Sequence, residues 1–465
     1  QPHLRHLVQD AALHRLQTVT GIRKRARVDD RVGILEKGRL HFLRDINIIN
    51  SLTGGGGQWR SSARGHGVLS TATQRDGCGK LGQMNPMVLS AESGKPTLAD
   101  VLPNCVSALR GETGSMRLPP VDQAVVLLVD GLGAVNLKPN TAYARRMVTT
   151  WGKRDLAFSF PSTTASAIAT LTTGERAGVH GMLGYTVLDR SSGTVRNQLS
   201  GWGDGMDPAT WQPCPTIFEQ LAERPDALPS FVVGVPAYAE SGLTQACLRG
   251  AEYVAASSIM ERIEATLELL AREPRCLIYC YVAELDQAGH RYGAESSEWL
   301  AALEELDQAV GVLTQYLPSR AGLIITADHG MVDVPHTRHI DMEYASPLLE
   351  GVAHIGGEPR LRHLYLEDAS ATATERLVER WREHDGHRAL IVSREDAISA
   401  GWFGATVTEA ARSRIGDILI ATQKLVGYYP EDVTGHGRMI VGQHGSIAPE
   451  ECIVPVIRHG AFARN

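Results

Sequence analysis

From about residue 95 onward, short apolar runs alternate with amphipathic stretches, the pattern of a sheet covered by helices. Residues 124–129, 231–235, 277–282 and 323–326 are short, largely apolar runs, which predicts strands buried on both faces. Residues 453–457 predict one more, broken by Pro455, which has no N–H to give to a ladder. Helices are predicted over 216–223, 257–272 and 296–316. The last places Trp299, Leu300, Leu303, Leu306, Val310 and Leu313 at helical spacing. Between residues 341 and 434 the pattern is less regular, with strand-like runs at 363–366 and 389–392 around a helix at 373–384. This segment reads as a smaller inserted cap, and residues 84–340 with 435–465 as the α/β core.

Charge separates the first 83 residues from the rest. They carry 14 Lys and Arg against 6 Asp and Glu, a net +8, which leaves −14 for residues 84–465. With the run R-K-R-A-R at 23–27, glycines at 54–57 and little apolar periodicity, this segment is expected to be disordered. The chain opens on Gln1, and its first methionines are Met84 and Met87. The native start is therefore expected there, with the basic segment as upstream sequence. The whole-chain charge of −6 argues against a nucleic-acid-coating protein. No stretch approaches the roughly 20 apolar residues of a spanning helix, and no secretory pattern is read at the start. The expectation is a cytoplasmic protein without a membrane partner. The seven cysteines lack paired CxxC spacing; Cys276 and Cys280 fall in an apolar run and read as core.

Chemistry gathers where the apolar runs end. A-V-V-L-L-V-D-G-L-G delivers Asp130 to the rim of the sheet, where open α/β sheets bind ligands. L-I-I-T-A-D-H-G-M presents Asp328 and His329 at a second strand end. L-I-Y-C-Y-V-A-E-L-D-Q-A-G-H supplies Asp286 and His290, four residues apart and close enough to meet on one helical turn. V-G-Q-H-G-S sets His444 between glycines. Any one of these histidines is more commonly a hydrogen-bonded structural residue, but four such placements together make two sets of N and O ligands without thiolate. That inventory suits Zn²⁺ or Mn²⁺. F-P-S-T-T-A-S-A-I-A-T-L-T-T-G adds a hydroxyl-rich turn entering a helix, with Thr164 at its N-terminus, where N–H groups and the dipole favour an anion. The structural alternative is that Ser162, Thr163 or Thr164 is an N-cap.

In this order the motifs resemble the alkaline phosphatase superfamily, nearest its nucleotide pyrophosphatase/phosphodiesterase branch, over roughly residues 120–340 and 435–457. The resemblance implies a mixed, mostly parallel sheet flanked by helices with an inserted cap. It implies two divalent metal ions, one held by Asp286, His290 and His444 and the other by Asp130, Asp328, His329 and the Thr164 oxygen. Thr164, three residues after Pro161 and ten before Gly174, stands at the family's nucleophile position. The implied activity is hydrolysis of phosphodiester or pyrophosphate bonds of nucleotide-type substrates through a phosphothreonine. Phosphate monoester or phosphonate hydrolysis on the same metal frame is the alternative, and a silent metal or nucleotide binder is the reading from another class. One departure stands out: after H-G-M-L-G the family's nucleotide-cleaving members carry an Asn that holds a phosphate oxygen, and here Tyr185 occupies that place as the implied substrate-binding residue. His180, His336 and His339 match no ligand position and read as structural residues or as partners that hold the ligands in place.

Overall fold

The structure, a computed structural model, describes residues 95–203 and 205–463; the basic segment 1–83 lies outside them. A six-stranded sheet forms the centre, in the spatial order Ile457–Gly460, Ala321–Thr326, Gln123–Val129, Cys276–Val282, Ser230–Gly234, Glu252–Ala255. The last five are mutually parallel, and Ile457–Gly460 runs antiparallel at the edge. The apolar runs explain the middle of this sheet: Gln123–Val129, Ala321–Thr326 and Ser230–Gly234 are buried at every position. Cys276 and Cys280 are buried within their strand, with free thiols.

Each of these four strands begins one or two residues before its apolar run, and Ser230–Gly234 stops short of Val235. Gln123 pairs with Ala321 although neither residue is strongly apolar, because the ladder runs on to the last available partner. The stretch at 453–457 is two strands with different partners, not one. Ile453–Pro455 pairs with Leu156–Phe158, and beyond Pro455 Ile457–Gly460 pairs with Ala321–Thr326. Proline ends the first ladder and lets the chain change sheets.

The predicted helices form as Ile217–Ala222, Ile259–Arg272 and Ser297–Tyr316. Capping boxes start the first two, Thr216 with Glu219 and Ser258 with Glu261, and the Ser296 side chain caps the third. Ile259, Ile263, Leu269 and Leu270 face inward from the second, which packs on Cys276–Val282 and Ser230–Gly234. Among the described residues no helix is long and apolar enough to cross a membrane.

Residues 341–434 hold a separate four-stranded antiparallel sheet ordered Val352–Glu358, Leu361–Leu366, Ile418–Thr422, Ala389–Ser393, with the helix Ala371–Asp385 against it. Leu364, Leu377, Trp381, Ile391, Ile420 and Tyr428 form its own apolar cluster. Two of these strands were not visible in the sequence. Val352–Glu358 is interrupted by His354 and two glycines, and the five residues of Ile418–Thr422 are too few to separate strand from helix by period.

The turn after Glu358 anchors this sheet to the core. Arg360, buried, meets buried Glu451 bidentately at 3.1 and 2.7 Å, and Glu451 also accepts from the Ser446 N–H at 3.0 Å. Removing one partner of a buried pair leaves the other charge uncompensated. Arg360→Ala is therefore expected to lose about 3–5 kcal/mol of stability, read as an earlier urea midpoint.

Candidate active site

Parallel register brings the functional strand ends to one place. Val129 lies opposite Val282, and Leu128 opposite both Tyr281 and Thr326, so Asp130, Asp286 and Asp328 emerge at the same edge. The Asp130 N–H donates to Val282 O at 2.8 Å, which extends the ladder into the site itself. The next residue, Gly131, has φ +74°, and a Cβ there would come within 3.1 Å of the Asp286 Cα. Only glycine lets the strand turn away so close to the following helix.

Around this edge the structure gathers all six proposed ligands and Thr164. His329 Nε2 lies 3.4 Å from Asp130 Oδ1, 3.4 Å from Asp328 Oδ2 and 3.2 Å from Thr164 Oγ1. His290 Nε2 lies 3.4 Å from Asp286 Oδ2 and 3.3 Å from His444 Nε2. The edge of a tetrahedron with zinc bonds of roughly 2.0–2.1 Å is about 3.3 Å, so both groups have the spacing of ligands around one ion. By proximity alone His329 also falls with Asp286 and His444, and its ring stacks on that of His444 at 3.6 Å. His290 adjoins the same pair, 3.4 Å from Asp286 and 3.3 Å from His444, while His444 itself lies 4.0 Å from Asp286. The first group is buried, and the second is half-buried.

The donor atoms are oriented for a cation. Each histidine places Nδ1 against a backbone carbonyl: His290 at Gly442 O (2.8 Å), His444 at Ser162 O (2.8 Å) and His329 at Gly330 O (3.1 Å). An Nδ1–H donated there leaves the Nε2 lone pair for a metal. Asp328 Oδ1 accepts from the N–H groups of Gly131 and His329. Asp130 Oδ1, Asp286 Oδ1 and Asp328 Oδ2 remain buried without a hydrogen-bond partner, an arrangement that calls for a cation.

Electrostatics agree. Burial raises Asp286 to about 6 and Asp328 to about 7, and burial with the neighbouring Asp328 raises Asp130 well above the carboxylate range. Burial also holds His329 down at about 4, and burial beside His329 and His290 depresses His444 further. Crowded carboxylates beside neutral imidazoles are what a divalent cation relieves.

Thr164 is the first residue of the helix Thr164–Thr173, which ends on Gly174 at φ +71°. Thr163 occupies the N-cap position but makes no side-chain cap bond. Thr164 is half-buried while Ser162 and Thr163 are buried, so its hydroxyl is the accessible one of the three. Tyr185 stands apart from this network: its N–H donates to Glu358 Oε2 at 2.9 Å, and the residue is 39% exposed. His180 lies between Thr170 Oγ1 and the Met182 N–H, and His339 stacks on Tyr429 with His336 edge-on to it.

The profile of the type I phosphodiesterase/nucleotide pyrophosphatase family matches residues 124–447. The chain belongs to this family. Human ectonucleotide pyrophosphatase/phosphodiesterase family member 7 is 38% identical over 77 residues, 16% of this chain and 17% of that protein. Venom phosphodiesterase CdcPDE of Crotalus durissus collilineatus is 34% identical over 90 residues, 18% of this chain and 10% of that protein. The aligned stretches thus span less than a fifth of the length of these curated relatives. Among solved structures, inactive murine ectonucleotide pyrophosphatase/phosphodiesterase 5 in complex with AMP shares the fold at TM-score 0.54 and 17% identity, over 73% of this chain and 88% of that one. Phosphonoacetate hydrolase from Sinorhizobium meliloti 1021 in complex with phosphonoacetate does so at TM-score 0.57 and 17% identity, over 74% and 91%. Family and fold agree with the mixed, mostly parallel architecture expected from the motifs.

Two residues beside the site carry no motif. Tyr281 donates from its hydroxyl to Asp130 Oδ2, yet in sequence it looks like one more residue of a core strand. Glu358, the last residue of a strand in the second sheet, reaches the Tyr185 N–H and packs on Gly445, next to His444. A Cβ at Gly445 would lie 2.3 Å from Glu358 Oε1. No local pattern announces a contact made over such sequence distances. Burial pushes the Glu358 carboxyl up to about 8. Between the unfolded value near 4.5 and about 8, the folded chain holds a proton that the unfolded chain has released, so this group's contribution falls as pH rises. Glu358→Gln, neutral throughout, is expected to exceed the wild type by about 1 kcal/mol or more at pH 8. The difference should vanish only below about pH 4.5, where Glu358 is protonated folded or unfolded, as urea unfolding across pH will show.

Proposed function

We propose that this protein hydrolyses phosphodiester or pyrophosphate bonds, nucleotide-type esters included, by attack of Thr164 on phosphorus with two bound divalent ions, Zn²⁺ or Mn²⁺. The observation that carries the reading is the Thr164 hydroxyl lying 3.2 Å from His329 Nε2, at the edge of one ligand group and at a helix N-terminus. Asp130, Asp328 and His329 would hold one ion beside Thr164, and Asp286, His290 and His444 the other. Two such ions supply Lewis-acid polarisation of phosphoryl oxygens and a lowered pKa for the attacking hydroxyl and water.

The chain's own residues supply the rest. The first turn of the helix Thr164–Thr173 presents backbone N–H groups and the positive end of its dipole to the developing phosphoryl charge. Thr164 Oγ1 forms a bond to phosphorus as the bond to the leaving oxygen breaks, giving a phosphothreonine and the released alcohol or phosphate. Water attacks that phosphorus in a second displacement, which frees the product and restores the hydroxyl. His290, His329 and His444, held by carbonyls through Nδ1, keep their Nε2 atoms fixed through both steps.

Steady-state assays test the substrate class. With Zn²⁺ or Mn²⁺ added, bis-nitrophenyl phosphate and a nitrophenyl nucleotide ester should turn over with higher kcat/KM than nitrophenyl phosphate or phosphonoacetate. A preference for the monoester would transfer the reading to a phosphomonoesterase. Release of phosphate from phosphonoacetate alone would transfer it to C–P cleavage. Metal-loaded protein that turns over none of them would be a silent binder.

A further inference from the structure

Five of the six proposed ligands are oriented by the backbone alone or by one another. Carbonyls of Gly442, Ser162 and Gly330 hold His290, His444 and His329; N–H groups of Gly131 and His329 hold Asp328; Asp286 meets His290. Asp130 differs, because its Oδ2 accepts from a side chain, the phenol of Tyr281. Strand geometry accounts for the pairing. Tyr281 is registered opposite Leu128, and side chains two apart on a strand share a face, so the ring rises beside Asp130 on the neighbouring strand. The ring stacks on Tyr279 at 6.5 Å and meets Tyr238 edge-on at 6.2 Å, and these contacts keep its hydroxyl in place.

The consequence lies on the other oxygen. With Oδ2 occupied, Asp130 turns Oδ1 toward His329 Nε2, 3.4 Å away, buried and without a partner. We infer that Tyr281 is a positioning residue that fixes Asp130 as a one-oxygen ligand of the ion beside Thr164 and thereby sets the affinity of that site alone. The inference rests on the two-metal reading above. Without the phenol, Oδ2 is left unpaired and the carboxylate is free to rotate, so the tetrahedral spacing of the first group is no longer enforced. Loss of such an outer partner weakens metal affinity by about 10–100-fold.

Tyr281→Phe keeps the ring and its packing and removes only the donor. Tyr279→Phe is the matched control, since the Tyr279 hydroxyl is buried and makes no hydrogen bond, to Asp130 or to any other group. Metal-free wild type and both variants are titrated with Zn²⁺ against a fluorescent chelator, after their thermal midpoints show all three equally folded. In Tyr281→Phe one of two dissociation constants should rise by about 10–100-fold while the other stays put, and turnover lost at limiting Zn²⁺ should return at saturating Zn²⁺. In Tyr279→Phe both constants should match the wild type. Unchanged constants in Tyr281→Phe, equal weakening of both ions, or the same weakening in Tyr279→Phe would overturn the inference. A wild type that binds fewer than two ions would instead overturn the two-metal reading on which it stands.

Discussion

Thr164→Ala is expected to lower kcat for a nitrophenyl nucleotide ester by about 10⁴-fold or more while both metal ions stay bound. Removing a covalent nucleophile costs far more than removing a group that only binds substrate, because the two-step route is lost and water must attack directly. Thr164 is half-buried at the first position of its helix, and its hydroxyl faces His329 Nε2 at 3.2 Å. The thermal midpoint should therefore change little, and the metal-to-protein ratio not at all. Kinetics paired with metal analysis checks both halves. Full activity in Thr164→Ala would remove threonine from the chemistry, and a loss of metal would recast it as a ligand only.

Stripping the protein with a chelator should abolish turnover and also destabilise the fold. Asp130, Asp286 and Asp328 each keep a buried oxygen without a hydrogen-bond partner, and burial raises all three carboxyls. An ion that binds only the folded chain adds about 2.7 kcal/mol at a free concentration 100-fold above its dissociation constant, so two ions contribute roughly twice that. The thermal midpoint should fall on chelation and recover, with activity, on adding Zn²⁺ or Mn²⁺. Metal-depleted protein that still turns over would contradict the account.

Most of the candidate site was legible because its residues sit at the ends of largely apolar runs. Asp130 follows Gln123–Val129, Asp328 and His329 follow Ala321–Thr326, and Asp286 with His290 follows Cys276–Val282. A buried strand has one exit, and what stands there reaches the sheet edge. Which edges coincide depends on register, which pairs Leu128 with both Tyr281 and Thr326 and is invisible in any single run. Tyr281 was missed for the same reason. Its role comes from a neighbour on another strand, and by composition it is only one more apolar position.

Glu358 and Arg360 were illegible for a further reason. They act through Tyr185 and Glu451, residues distant in sequence, from a sheet whose first strand is broken by glycines. The motif order implied that Tyr185 stands where related sequences carry a phosphate-oxygen donor. It did not foretell that the Tyr185 N–H would be tied to a carboxyl of the second sheet, with the residue left partly exposed.

The central claim is two displacements at phosphorus, the first by Thr164 and the second by water, and the stereochemical course of one turnover tests it most directly. A nitrophenyl nucleoside phosphorothioate of known configuration is hydrolysed in ¹⁸O-water and the configuration of the product determined. Each in-line displacement inverts phosphorus, so the account predicts net retention, whereas net inversion would mean that water attacks the substrate directly and that no phosphothreonine lies on the path.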